Sequence, residues 1–223
     1  MLGRIRKRGA HAQAHESAKR RSWDRSENSL DQFFTARELL WTLISTTAWN
    51  GTLVMNIGPT ADGLIPPIFL DRLSRVGDWL RTNGKAIYGT RPWAAALPSG
   101  MEGAGKPTYA DCANVTFYTR GGENACRYGL GGCGERSAAG SVFAIFMTYP
   151  QADPSSNKRS ITLSTPHPDG SHTAAALLVS GGVVALKWTP LSPGGAGMRI
   201  ELPPYPESSA SAWVIELTGL QNA

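Results

Sequence analysis

Cysteine and histidine are scarce in this 223-residue chain, with three of one and four of the other. Cys112, Cys126 and Cys133 fall in one Gly-rich stretch, and their spacing fits no common zinc pattern. One disulfide plus a free thiol and a wholly unpaired set are both compatible with it. His11, His15, His167 and His172 show no metal-site spacing, so neither a metal nor a cofactor is implied. Long apolar runs are missing too. The longest, 142–147 and 183–186, fall far short of the roughly 20 residues a bilayer-spanning helix requires. No apolar stretch of about 7 to 15 residues follows the N-terminal charges, so the chain carries no expected secretory signal.

Acidic residues are almost absent from the start of the chain. Residues 1–22 hold seven Lys/Arg against one Asp/Glu, whereas 23–223 hold fifteen against sixteen, so the formal net charge of +5 sits in the first segment. A run such as Arg4-Ile5-Arg6-Lys7-Arg8 can bind nucleic acid or anionic lipid. In a segment without large apolar residues or periodicity it reads as a solvated, disordered tail. No nucleic-acid or membrane partner is expected.

From residue 23 onward the patterns of a folded core begin. Thr35-Ala36-Arg37-Glu38 is a capping box, and Leu39, Leu40, Leu43 and Ile44 follow at helical spacing, which predicts a helix over 36–47. The apolar run 52–57, bounded by Gly51 and by Gly58-Pro59, predicts a parallel strand covered on both faces. Pro66-Pro67 opens a second helix that Asn83-Gly84 ends. Beyond Trp93 the pattern becomes short apolar segments between Gly, Pro and Ser, predicting strands at 115–119, 142–148, 160–163, 174–179, 183–188, 198–202 and 212–217. In the last two, Met198, Ile200 and Leu202 alternate with Arg199 and Glu201, and Trp213, Ile215 and Leu217 with Val214 and Glu216, so each is expected to bury one face and wet the other. Ser180-Gly181-Gly182 is a hairpin signal. The expected organisation is a disordered basic tail over 1–22, a piece of α/β over 23–93, and a β-sandwich over 94–223 with about seven strands. About 70 residues supply one or two βα units, whereas a closed (β/α)8 barrel takes roughly 250.

The stretch from Asn50-Gly51-Thr52-Leu53-Val54-Met55-Asn56-Ile57-Gly58-Pro59-Thr60-Ala61-Asp62-Gly63 to Phe69 resembles the last barrel strand and following loop of the α-L-fucosidase family. Its continuation, through Val76-Gly77-Asp78-Trp79-Leu80 to Asn83-Gly84-Lys85-Ala86-Ile87-Tyr88-Gly89-Thr90-Arg91-Pro92-Trp93, resembles the helix and exit segment leading into that family's C-terminal sandwich. Upstream, Ser22-Trp23 looks like the family's Ser-Trp-Gly-Tyr loop without its Gly-Tyr pair. Downstream, Phe117-Tyr118-Thr119, Leu186-Lys187-Trp188 and Ile200-Glu201-Leu202-Pro203 are similar to sandwich strands in the family's order. The resemblance runs from about residue 22 to the end and is most specific over 50–93. It implies a fold made of the terminal fragment of a (β/α)8 barrel followed by a C-terminal β-sandwich, in which 121–140 looks like a Gly-rich insertion.

The implied activity is retaining hydrolysis of terminal α-L-fucose from glycoconjugates, by an Asp nucleophile and a separate carboxyl acid/base about 5 Å apart. In the family both precede the Ser-Trp loop, so neither is expected in this chain, and Glu16 sits in a sequence resembling no part of the barrel. A truncated, alternatively spliced or imperfectly predicted gene product would account for this. Trp23 is the expected sugar contact, with isolated core packing the competing reading. Asn56, Gly58 and Thr60 are expected to support the loop at the active face, Asp62 to serve a turn, and Asp24 and Glu27 to be solvated loop charges. Trp188 and Trp213 read as core rather than as a carbohydrate platform. Asn50-Gly51-Thr52 and Asn114-Val115-Thr116 fit the N-glycosylation pattern, Asn114 being the better placed beside a strand. Fucosylated glycans or glycoproteins are the implied partners, a lysosomal or secreted location is implied for a full-length member, and its homo-oligomer formation is left open. The competing reading is a non-catalytic β-sandwich that binds carbohydrate or protein.

Overall fold

The computed structural model describes residues 13–17, 33–93, 109–111, 115–121, 140–204 and 211–222, the first of these as backbone only. In chain order the elements are β1 (Gln13–Ser17), α1 (Ala36–Ala48), β2 (Thr52–Asn56), α2 (Pro67–Asn83), β3 (Thr90–Pro92), β4 (Thr116–Gly121), β5 (Val142–Phe146), β6 (Arg159–Leu163), β7 (Ala174–Val179), β8 (Gly182–Leu186), β9 (Trp188–Pro190), β10 (Met198–Leu202) and β11 (Trp213–Thr218).

The capping box forms as expected. The amide of Glu38 donates to Oγ1 of Thr35 at 3.2 Å, and the amide of Thr35 donates to Oε2 of Glu38 at 2.8 Å. Two otherwise unpaired amides at the start of α1 are thereby satisfied. The helix turns Leu39, Leu40 and Ile44 inward, and the chain leaves it through Asn50 at φ +61, a left-handed conformation that Asn tolerates better than most residues. Pro67 occupies the first position of α2, where its missing N–H costs nothing, and Phe69, Val76 and Trp79 form the buried face.

Most of the structure is antiparallel sheet. A six-stranded sheet has the order β3-β4-β5-β11-β7-β8, and a three-stranded sheet the order β6-β10-β9. The six-stranded sheet is covered on both sides, and the strand period of two assigns each side chain to one of two clusters. Tyr118, Val142, Ala144, Phe146, Trp213, Ile215 and Leu217 share a core with Leu163, Met198, Ile200 and Leu202 of the smaller sheet. Phe117, Phe143, Ile145, Leu178 and Val214 point the other way and pack with Leu39, Leu40, Trp41, Ile44, Val76 and Trp79 of the two helices. All five residues of β5 are therefore buried, whereas β10, with an open outer face, alternates buried and exposed.

Polar contacts tie the helices to the sheet. Trp79 Nε1 donates to the carbonyl of Ala212 at 2.8 Å, Thr119 Oγ1 to that of Ala86 at 2.7 Å, and Arg37 Nη2 to that of Met147 at 2.7 Å. Lys85 Nζ and Glu216 Oε2 form an ion pair at 2.6 Å with both side chains largely covered.

Four expectations need correction. β11 does not wet one face: Val214 is fully buried and Glu216 is half-buried against Lys85, because α1 and α2 cover the side expected to face water. The run expected as one strand over 183–188 divides at Lys187, with β8 pairing in the large sheet and β9 in the small one. β2 is not enclosed, since Val54 is 44% exposed. Its one pairing among the described residues is with β1, a parallel partner inside the segment expected to be disordered. The sequence of β1, Gln-Ala-His-Glu-Ser, has no apolar alternation, so it is pairing of its backbone with the edge of β2 that makes it a strand.

Candidate functional site

Parallel strands joined through a helix present their C-terminal ends on one side, where sites of α/β proteins gather. Here Gln13 is opposite Thr52 and Ser17 opposite Asn56, so β1 and β2 end together, with α1 as the connection. Glu16 holds the register position opposite Met55, one residue before the end of β1. At the end of β2 the chain continues through Ile57-Gly58-Pro59 into a loop that leads to α2.

Thr60 organises that loop. Its amide donates to the carbonyl of Leu64 at 2.7 Å, its Oγ1 accepts from the amide of Leu64 at 2.9 Å, and its carbonyl accepts from Gly63 at 2.9 Å. Gly63 takes φ +77, closing a turn around Ala61 and Asp62. These bonds close the loop through Thr60, whose hydroxyl makes the turn contact expected of Asp62, which is exposed. Asn56 and Gly58 are half-buried at the mouth of the same strand, while Leu64 is 66% exposed beside them. The structure thus groups Asn56, Gly58 and Thr60 at one strand end, with Glu16 on the neighbouring strand. Trp23, Asp24, Glu27, Asn114 and the three cysteines lie outside the described residues. Asn50 is exposed at the opposite end of β2.

Glu16 and its strand were missed from sequence. A signal was available: a helix followed by a short apolar parallel strand requires a partner strand upstream of that helix, because parallel neighbours are joined by a crossover.

Three groups with perturbed acidity lie in or beside the antiparallel sheets. Burial pushes the phenols of Tyr118 and Tyr149 upward, the latter to about 12. The Ser155 hydroxyl, helped by the amides of Ser155 and Ser156, holds the Asp153 carboxyl below its ordinary value. The two phenols belong to the core between the sheets and Asp153 closes a surface turn, so none marks a reactive centre. A surface depression of about 270 Å³ is lined by Asn157, Lys158, Arg159, Glu201, Leu202 and Pro204. Its Lys158 and Glu201 pair at 3.5 Å, and none of these lining residues is aromatic. Trp213 lies in the inter-sheet core and Trp188 packs against it, donating from Nε1 to Thr173 O at 3.2 Å. Among the described residues no helix is long and apolar enough to cross a membrane.

The sequence model of the family described as Alpha-L-fucosidase matches residues 6–85. The match begins upstream of residue 22, so the resemblance includes β1 and Glu16, contrary to the expectation that this segment resembles no part of the barrel. The chain is similar to α-L-fucosidase of Branchiostoma floridae, 31% identical over 205 residues, which is 90% of this chain and 37% of that protein. It is also similar to plasma α-L-fucosidase of Rattus norvegicus, 48% identical over 73 residues, which is 32% of this chain and 16% of that protein. Among solved structures it is similar to Thermotoga maritima α-fucosidase in complex with a mechanism-based inhibitor, with a TM-score of 0.61 at 20% identity over 94% of this chain and 40% of that one. The structural likeness concerns the fold. The chain spans little more than a third of the length of the curated relatives that it matches over nine-tenths of its own length. Sequence similarity thus relates this chain to the C-terminal portion of α-L-fucosidases, a family of glycoside hydrolases whose fold it shares.

Proposed function

We propose that this chain supplies the closing segment of a (β/α)8 catalytic barrel, through β1, α1, β2 and α2, and the β-sandwich packed beside it. The enzyme so formed is an α-L-fucosidase that releases terminal α-L-fucose from glycoproteins and other glycoconjugates with retention. The observation that carries this reading is the parallel register of β1 and β2 inside the stretch that the family's sequence model matches. A retaining glycosidase holds two carboxyl groups about 5 Å apart across the anomeric carbon. Of such a pair the parallel strands β1 and β2 offer one carboxylate, Glu16, at a register position suited to an acid/base on the strand-end face. The nucleophile belongs to the part of the barrel that relatives have and this chain does not match. Asn56, Gly58 and Thr60 shape the loop under the sugar, and Trp23 is assigned to the sugar's apolar face. A lysosomal or secreted enzyme is the fitting setting, in keeping with a relative named for plasma.

Alone, residues 1–223 are inactive under this proposal. Purified chain incubated with a chromogenic α-L-fucoside should release no aglycone above the buffer rate. Steady-state turnover typical of glycosidases, on the order of 1 s⁻¹ or more, would overturn it. The reading as a carbohydrate-binding module gains no support from the described tryptophans, which are held in or against the core.

A further inference from the structure

We infer that Asn50 is an N-glycan acceptor, at the opposite end of β2 from the strand-end loop. The triplet Asn50-Gly51-Thr52 has the acceptor pattern with no proline at its centre. Pattern alone decides little, because such triplets occur by chance and many are inaccessible. The structure adds three observations. Asn50 and Thr52 are both exposed, so the acceptor amide and the hydroxyl through which the pattern is read are reachable together. The turn is closed by main-chain groups, Asn50 N to Thr47 O at 3.1 Å and Gly51 N to Thr46 O at 2.8 Å. Its geometry therefore does not depend on the Asn50 side-chain amide, which enters no hydrogen bond among the described residues. Finally, Asn50 takes φ +61 at the tip between α1 and β2, the left-handed conformation that lifts a residue out of a helix end.

The location is compatible with catalysis by the family's enzymes. Thr52 begins β2 and Asn56 ends it, four residues on, which at about 3.3 Å per residue separates the two ends by about 13 Å. A glycan on Asn50 leaves from the strand's N-terminal side, and the loop of Gly58, Thr60 and Gly63 stays open on the other. The other sequon, at Asn114, lies outside the described residues, so of the two Asn50 is the one with a shown accessible geometry.

The modification is a transfer from a polyprenyl-pyrophosphate-linked oligosaccharide. A bond forms between Nδ2 of Asn50 and the anomeric carbon of the donor's first N-acetylglucosamine. The bond from that carbon to the pyrophosphate oxygen breaks, its electron pair leaves with the lipid pyrophosphate, and Nδ2 gives up one proton.

The test uses the full chain carrying Asn114→Gln, expressed behind a cleavable secretory leader in mammalian cells, with an acceptor tripeptide appended at the C-terminus as an internal count of one glycan. Two glycans are expected on the secretory-pathway product. Asn50→Gln and Thr52→Ala should each reduce the count to one, and Thr52→Ser should keep two. Asn-Gly pairs also deamidate spontaneously, so peptides are mapped after enzymatic release in ¹⁸O-water beside an equal ¹⁸O-water incubation without the glycosidase, and only label at Asn50 above that control reports a former glycan. A chain bearing the tag glycan with unlabelled Asn50 would overturn the inference, as would two glycans persisting in Asn50→Gln.

Discussion

Trp79 tests whether the two helices and the antiparallel sheets unfold as one body. Its indole is 6% exposed within the cluster formed by α1, α2 and the inner face of the six-stranded sheet, and its Nε1 donates to the carbonyl of Ala212 at 2.8 Å. Trp79→Phe keeps an aromatic ring but removes that donor, leaving the carbonyl of buried Ala212 without it, a loss of about 1–3 kcal/mol. Trp79→Ala also empties most of the indole volume, and large-to-small changes of this kind cost about 3–5 kcal/mol. Urea unfolding followed by far-UV circular dichroism, which does not depend on the removed fluorophore, measures both. If helices and sheets share one cooperative core, each variant shows a single transition moved to lower urea, with Trp79→Ala moved further. A sheet transition that keeps its wild-type midpoint in Trp79→Ala would refute the shared core.

Three other outcomes follow from the geometry. Gly219 has φ +66, and a Cβ built there would lie 2.1 Å from the carbonyl oxygen of His172, so Gly219→Ala should cost about 2–4 kcal/mol of unfolding free energy. Gly181→Ala, at φ +86 but with nothing within 4 Å, should cost about 1 kcal/mol, and equal losses in urea melts would contradict the distinction. For Tyr149, the folded state holds the phenol proton up to about pH 12 against the ordinary 10. Its contribution is thus complete below pH 10 and lost as pH rises from 10 to 12, and Tyr149→Phe should show a shallower alkaline decline in urea midpoint than wild type. Replacing Glu216 by Gln leaves Lys85 without its carboxylate at 2.6 Å and should lower the midpoint in low salt more than in high salt.

The elements legible in the sequence are those whose determinants are local. The capping box before α1 and the proline at the start of α2 act within one helical turn, and both helices appear within a residue or two of their expected ends. β10 alternates as predicted because its outer face is open. What escaped reading depends on neighbours distant in the chain. β11 has the same alternating pattern as β10, yet helices more than 130 residues away cover its second face. β1 carries no pattern of its own and is a strand through backbone pairing with β2. The division at Lys187 reflects which sheet offers the next open edge, which no local composition encodes. At the strand-end loop, the closing bonds run through Thr60. Glu16 was passed over because its strand was.

The most direct measurement is a single-turnover experiment with residues 1–223 in excess over an α-L-fucoside, followed by ¹H NMR of the anomeric proton. The proposal that the nucleophile comes from outside residues 1–223 predicts that the substrate signal persists over many hours. Release of α-L-fucose as the first-formed anomer would show a complete retaining pair within these 223 residues and contradict it.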